Sequence, residues 1–438
     1  MAAILANIER LLIALTPVSW ARSYIRRHSP SVPPQRDKEG QLLVDVSVIL
    51  QHDAGTGIQR VVRALLNQLL ENPPIGYRVR PVFAGRSHPY RYATVIPGKP
   101  WIGDLRALGN GAVHVGPGDI FLGLDLAAHL LPGRRFELLR WKRQGVSLHF
   151  VVYDILAVRN LHWFNPKTTR NIRRWLRTLA IFADSLICIS DVVRKDVASW
   201  LAARYGFESD VIPIKLIPLG ADISASIPSE GISDDMEQLL SRLSRSASVM
   251  IVGTLEPRKG HAQILAAFER LWRVGRNVSL VLVGKPGWKT EPLQHQLNAH
   301  PQAGRRLYWL DNASDELLEL LYGAVTGVIV ASQAEGFGLS LVEAAYHRKP
   351  ILARDIPVFR EIGGDRAAFF AGGGTGALAE SIDKWLDEIS AGKTSTPCAP
   401  LQTWHDSALS LLSCLGLKTS RSKADSVFSW HPAGEEQA

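Results

Sequence analysis

Cysteine is scarce: Cys188, Cys398 and Cys414 are the three in 438 residues, and none stands at CxxC or another ligand spacing. That excludes a disulfide-stapled scaffold and a structural zinc site, and it fits a reducing compartment. The chain also lacks a DxD cluster, HExxH and GxSxG. Metal-dependent and serine-hydrolase chemistry therefore lose their usual supports, and no metal ligands are expected. Without a zinc-finger or RNA-recognition signature, or a basic stripe interleaved with aromatics, no nucleic-acid partner is expected. Long apolar runs are missing too. The opening "MAAILANIERLLIALTPVSWARSYIRRHSP" is apolar, but Glu9 and Arg10 interrupt it and Pro17 would kink a helix. The remaining run is too short to span a bilayer, and no small-residue cleavage site follows a basic start.

What is present describes a folding, two-domain chain. Its 46% apolar and 21% charged residues are ordinary for a globular protein, and its length exceeds one ordinary core. A formal charge of +9 favours anionic partners such as nucleotides or phospholipids. The first 28 residues, ending in Trp20, Arg22, Arg26 and Arg27, fit an amphipathic helix. It either anchors at a membrane interface or packs on the body of the protein.

Residues 29–41 are a Pro-rich polar linker. "LLVDVSVIL" (42–50) reads as a buried strand, "QHDAGTG" as a turn and "IQRVVRALLNQLLE" as a helix. Strand, glycine turn and helix open a doubly wound α/β unit. "HFVVYDI" (149–155), "SLICIS" and "IKLIPLG" continue it as strands, with a helix over "TTRNIRRWLRTLAIFA" and another that Asp191 would cap. The N-terminal domain spans 42–225, and the polar stretch around 226–246 is expected as the interdomain linker. A second series over 247–395 repeats the alternation, with strands at "SVMIVG", "VSLVLVG", "VTGVIVAS" and "PILAR". Residues 396–418 read as a C-terminal helix crossing back, and 419–438 as a disordered tail. The expected fold is α/β, with two tandem Rossmann-like doubly wound domains.

Such domains bind ligands at the carboxyl ends of their strands. "VGTLEPRKGH" (252–261) places Gly253, Thr254, Arg258 and Lys259 between a strand and a helix start. Cations there suit a diphosphate; the alternative is a solvated basic loop. "AEGFGLSLVEAA" places Glu335 at a strand end and Glu343 in the next helix, with Gly336 and Gly338 between them. Glu343 could accept two hydrogen bonds from a sugar diol such as a ribose, or favourably cap a helix dipole. Gly55 and Gly57 make a second turn whose amides could meet phosphate, although no Walker loop or GxGxxG is complete. Asp154 could hold or deprotonate an acceptor hydroxyl, or cap a turn; His162 reads as structural. Arg170, Arg173, Arg174 and Arg177 lie beside Trp175 and Leu176, a face suited to an anionic membrane or simply to water.

The segments "GTLEPRKGHAQILAAFERL", "LVGKPGW", "LDNASDELLELLYGA" and "ASQAEGFGLSLVEAAYHRKPILARDIPVFREIGGDRA" resemble the C-terminal half of a GT-B retaining glycosyltransferase of the family-4 type. The likeness covers about 248–386 strongly and extends loosely back to about 42. The glutamate pair Glu335 and Glu343, inside "EGFGLSLVEA", is that family's signature. The resemblance implies that Glu343 binds the ribose of a nucleotide-sugar donor and that Glu335 lies against the donor sugar. It implies that Lys259 and Arg258 hold the diphosphate, and that amides at Phe337, Gly338 and Leu339, with those at Gly55 to Gly57, complete the phosphate cradle. Trp309 to Asp311, with Leu310 at its centre, would lie beside the base. Asp154 matches an acceptor-side position loosely. Two departures stand out: Thr254 occupies a common arginine position, and Tyr153 a common histidine position. The implied activity is a metal-independent hexosyltransferase at the cytoplasmic face of the membrane, building surface polysaccharide on a lipid-linked oligosaccharide. No cofactor is expected, because the nucleotide sugar is a substrate. GDP-mannose is the expected donor; a rhamnose donor, or a nucleotide-sugar epimerase on the same fold, is the alternative. A catalytically silent binding partner is the remaining rival.

Overall fold

Short, mostly apolar runs of two to seven residues become the strands of two sheets. The computed structural model describes residues 16–30, 39–93, 111–223, 229–394 and 401–419. Two compact units divide the chain: the first runs to Pro218 and resumes at His405, and the second runs from Leu219 to Trp404.

In the first unit the strands are β1 (Gly40–Asp45), β2 (Tyr77–Phe83), β3 (Arg91–Tyr92), β4 (Ile120–Gly123), β5 (Ser147–Val152), β6 (Ser185–Cys188) and β7 (Ile214–Leu216). They lie in the order β3-β2-β1-β4-β5-β6-β7. Every pairing is parallel except that of β2 with β3. The helices are α1 (Val18–Arg27), α2 (Ser47–Gln51), α3 (Gly57–Glu71), α4 (Arg135–Arg143), α5 (Leu156–Arg159), α6 (Pro166–Phe182) and α7 (Asp191–Tyr205). β4 and β6 are buried along their whole length, as strands covered by helices on both faces must be.

Helix α1 starts just after Pro17, where proline is tolerated because the first amides have no partner anyway. Its buried Arg22 donates to the carbonyls of Ala180 (3.3 Å), Ala183 (2.8 Å) and Val211 (3.0 Å). A cation thus closes the carboxyl end of α6, where helix carbonyls lack partners. For these ten residues the packed-helix reading holds. Residues 1–15, on which the anchor reading also rested, lie outside the described residues, as do 31–38 of the expected first linker, Cys398 and the expected tail from 420.

The second unit contains α8 (Asp234–Ser244), β8 (Ser248–Val252), α9 (His261–Arg273), β9 (Ser279–Val283), α10 (Glu291–Asn298), β10 (Leu307–Leu310) and α11 (Asp315–Ala324). It continues with β11 (Gly327–Val330), α12 (Leu339–Tyr346), β12 (Ile351–Arg354), α13 (Pro357–Gly363), β13 (Ala368–Phe370) and α14 (Thr375–Ser390). The last helix, α15 (Trp404–Cys414), falls almost wholly in the first unit's part of the chain. The sheet order is β10-β9-β8-β11-β12-β13, parallel throughout. This is the doubly wound order, and its direction reverses between β8 and β11. A crevice opens there, beyond the strand ends.

Three expectations need correction. The strand read over 42–50 ends at Asp45, and Ser47–Gln51 is helical. The Asp45 carboxylate accepts from the Ser47 amide at 2.9 Å, and Asp125 accepts from Val48 and Ile49 at 2.7 and 2.8 Å. Carboxylates on first-turn amides stabilise a helix start. The cap of α7 is Ser190, whose hydroxyl accepts from the Val193 amide; Asp191 is instead paired with Arg194 and Lys195. The stretch 226–246 is not a bare linker, because α8 occupies 234–244 within the second unit.

Candidate active site

The crevice between β8 and β11 is built from the loops that leave those strands. After β8 the chain turns through Gly253 (φ 146°), forms one helical turn at Pro257–Lys259, and enters α9 through Gly260 (φ 78°). Glycine is required at Gly260 twice over. Its φ is left-handed, and an added Cβ would stand 2.6 Å from the Ala331 carbonyl oxygen. Ala331 begins the loop after β11, so the two loops touch backbone to backbone. The Gln333 amide also donates to the Arg258 carbonyl at 2.8 Å. A third loop backs them: the Leu255 amide donates to Lys285 at 2.9 Å, and Gly284 and Gly287 leave no room for a Cβ beside Gly253 and Leu255.

These contacts bring Lys259, Arg258 and Glu335 together. The Lys259 ammonium donates to one Glu335 oxygen. The Arg258 guanidinium stands 3.1 Å from the other, and also contacts Glu256 at 2.9 Å and the Ala334 carbonyl at 3.0 Å. Burial by itself would push the Glu335 carboxyl up; Lys259 and then Arg258 outweigh it and hold the group at about 2. Glu335 is therefore ionised at any physiological pH; Glu256 and Glu335 balance the formal charge of Arg258 and Lys259, and what the cluster keeps is spare donor capacity on Lys259. Lysine has three donors, so Lys259 can serve a second acceptor. Gly253 lies against its ammonium, an added Cβ there falling 3.7 Å from Nζ.

Glu343 sits in α12, 3% exposed. Its Oε2 accepts from the Tyr322 hydroxyl at 2.9 Å. Helix α12 starts at Leu339 after Gly338 (φ 106°), where a Cβ would meet the Phe359 ring at 2.8 Å. Phe337 is buried just before it. Leu310 ends β10, and its carbonyl accepts from the Gly284 amide at 2.9 Å. Neighbouring Trp309 donates to the Gly284 carbonyl at 3.0 Å. Thr254, too, lies on the loop that Gly284 and Gly287 back.

The other expected residues belong to the first unit. One carboxylate oxygen of Asp154 accepts from the Leu156 amide at 2.9 Å, the cap of a turn. Gly55 (φ 66°) gives its amide to Asp53 at 3.0 Å, and Gly57 is the first residue of α3. Gln59 organises that turn: its carbonyl oxygen accepts from Ala54 and Thr56. The Gly55 amide is thus already engaged within its own loop.

Four side chains went unmarked in the sequence. Tyr322 and His261 look like helix core. Arg354 and Gln263 look like solvated polar residues. Yet Arg354 is buried, donating to the Ala331 carbonyl at 2.8 Å and to Gln263 at 2.6 Å. It thereby fixes the start of the loop that carries Glu335. His261 is 1% exposed at the start of α9. Burial, and next the Lys259 charge, push its pKa down to about 3 against the opposing Gly253 backbone, so its ring is neutral.

A family model, Glycosyl transferases group 1, matches residues 237–393. The chain is 40% identical over 386 residues to the serotype-specific mannosyltransferase WbdA of Escherichia coli, covering 87% of this chain and 44% of that protein. The chain thus spans less than half the length of that curated relative. Among solved structures, Anabaena HepE in complex with UDP and glucose superposes with a TM-score of 0.59 at 16% identity, over 86% of this chain and 99% of that one. Sucrose-phosphate synthase of Thermosynechococcus elongatus gives 0.60 at 18% identity, over 86% and 98%. At such identities these likenesses speak to fold, and the fold is GT-B. The loops that carry Lys259, Glu335 and Glu343 lie inside the matched segment, and the chain is a GT-B protein carrying a Glycosyl transferases group 1 domain.

Proposed function

We propose that the chain is a retaining mannosyltransferase, taking mannose from GDP-mannose and adding it to a lipid-linked saccharide at the cytoplasmic face of the membrane. The observation that carries this reading is the joining of Lys259, Arg258 and Glu335 where the sheet order reverses. Its support in sequence is the 40% identity to a mannosyltransferase.

The chemistry follows from where charge develops. The sugar C1–oxygen bond breaks and its electron pair goes to the departing diphosphate. The acceptor hydroxyl forms the new bond at C1 on the same face, and its proton passes to a diphosphate oxygen. Lys259 and the first amides of α12 stabilise the negative charge. Arg258, already held by Glu256 and the Ala334 carbonyl, chiefly orients Glu335. Glu335 faces the electron-poor carbon. Glu343, fixed by Tyr322, takes the ribose diol. In this scheme Asp154 serves as a turn cap rather than as a base.

A donor-by-acceptor transfer screen with product analysis tests the reading. Mannose transfer from GDP-mannose, with the anomeric configuration kept, is expected. Preference for a UDP-sugar would overturn the donor, and a changed sugar formed without acceptor would point to an epimerase.

A further inference from the structure

The first unit carries a second concentration of cations, remote in sequence from Lys259 and not used by the proposed transfer. Arg170, Arg173, Arg174 and Arg177 follow one another along α6 at spacings of three, one and three residues, which aligns them on one helical stripe. Arg204, near the end of α7, joins them. Arg173, Arg174, Arg177 and Arg204 line a cavity of about 470 Å³ whose other walls include Trp200 and Tyr205. A second cavity of about 430 Å³ shares Arg173 and Arg174 and is otherwise lined largely by apolar groups, among them Leu161 and Phe164.

Among the described residues, no acidic side chain stands within salt-bridge distance of Arg170, Arg173, Arg174 or Arg204. Arg177 gives one donor to the Thr16 carbonyl at 3.0 Å. Nearby Arg135 is held below the usual arginine range, by burial first and then by Arg177 and Arg174. Leu161 is 50% exposed beside the second cavity. Guanidinium groups next to an exposed apolar rim favour a surface that offers phosphates at one level and hydrocarbon just beneath. No helix among the described residues is long and apolar enough to cross a membrane.

We infer that the arginine-lined face of α6 and α7 is a docking surface for an anionic phospholipid bilayer, its guanidinium groups pairing with lipid phosphates while the exposed Leu161 enters the interface. The inference deepens the membrane-borne acceptor of the proposed function, but its test requires no transfer.

The probe is flotation with vesicles of phosphatidylglycerol and phosphatidylcholine in equal parts, set against pure phosphatidylcholine. The wild-type chain should float with the anionic vesicles alone and detach as salt rises. The pair Arg173→Gln and Arg174→Gln should lower partitioning about 30-fold, the worth of two surface cations. The pair Arg78→Gln and Lys418→Gln removes the same charge from exposed positions of the first unit, Arg78 on β2 at the far end of the sheet from β6 and β7 and Lys418 bonded through its carbonyl to the Ile75 amide, and should lower it less than about 3-fold, as charges lying off the docking face would. Equal losses from the two pairs would overturn the inference, since net charge alone would then explain binding. So would tight binding of inorganic tripolyphosphate at Arg173 and Arg174 without vesicle binding, which would mark a site for a soluble polyanion. Transfer to a soluble acceptor should survive Arg173→Gln and Arg174→Gln. A chain that floats but transfers nothing would retire the proposed function and leave the docking surface standing.

Discussion

The two sheets reverse direction at equivalent places, yet those places carry opposite chemistry. Between β1 and β4 the first unit buries two carboxylates, Asp45 and Asp125, each under 5% exposed. Every partner the structure gives them is a donor of the same unit: Ser47, Tyr90 at 2.8 Å, and the amides that start α2. Between β8 and β11 the second unit places two cations on one carboxylate and leaves Lys259 with donors to spare. The same topology therefore closes one crevice on itself and leaves the other poised for an anion. Fold supplies the location, and the residues at the strand ends decide whether it acts.

The sharpest way to break this contrast is to remove the spare donor. Lys259→Ala should lower kcat/KM for transfer by about 1000-fold, the upper range for deleting one preorganised donor to a developing anion. Circular dichroism should stay unchanged, because Lys259 is part-exposed. A variant retaining more than a tenth of wild-type activity would place the anion elsewhere. The matching change in the first unit should damage folding instead. Asp45→Ala strands the fully buried Tyr90 hydroxyl and the Ser47 hydroxyl, a loss of roughly 3 kcal/mol in urea denaturation. If Asp45→Ala were fully stable yet inactive, the first crevice too would be a working site.

The two crevices should also respond to pH with opposite slopes. Burial, partly offset by hydrogen bonds, raises Asp45 from 3.8 to about 7 and Asp125 from 3.8 to about 6. Between those limits the folded state binds protons that the unfolded state has released, so these groups make stability fall as pH rises from about 4 to about 7. Glu335 moves the other way, from 4.5 down to about 2. Its contribution is present above 4.5 and is lost as pH falls toward 2. Hydrogen-exchange protection, corrected for intrinsic rates, should therefore weaken in β4 between pH 5 and 8 while holding in β11. Asp45→Asn with Asp125→Asn should flatten the β4 slope. A parallel decline in both strands would show that the two units are not separately titrated.

Much of this could be read from the chain because it is local. The alternation of apolar runs and amphipathic helices shows in windows of a dozen residues, and Glu335 and Glu343 stand eight positions apart around Gly338, whose φ of 106° demands glycine. What escaped depends on residues distant in sequence. β1 stops at Asp45 partly because Asp125, 76 residues beyond Ile49, caps the next helix. Arg354 matters because it reaches Gln263, 91 positions away. Asp154 is ambiguous for another reason: a carboxylate after a strand fits a turn cap and a base equally well, and the Leu156 amide on one of its oxygens is compatible with both. Ser190 and Asp191 are both good caps, and adjacency hides which one turns inward.

The smallest expected effect concerns Tyr322, and it asks what kind of grip Glu343 provides. The Tyr322 ring is fully buried and stacks on His347, with centroids 4.9 Å apart and planes 3° apart. Its hydroxyl is thus aimed at Glu343 by packing rather than by the bond alone. Tyr322→Phe keeps the ring and the stack and deletes one donor to the Glu343 carboxylate, worth about 1 kcal/mol. If Glu343 holds a part of the donor that does not change during reaction, the loss falls equally on ground state and transition state. KM for the nucleotide sugar then rises about 5-fold while kcat stays within about 2-fold. A matched loss in the first unit, Thr56→Ala at the cap of α3, should cost a similar 1 kcal/mol of stability and leave KM alone. Should Tyr322→Phe instead lower kcat at constant KM, Glu343 would be acting on the transition state, and the second crevice would hold two reacting carboxylates rather than one beside a grip.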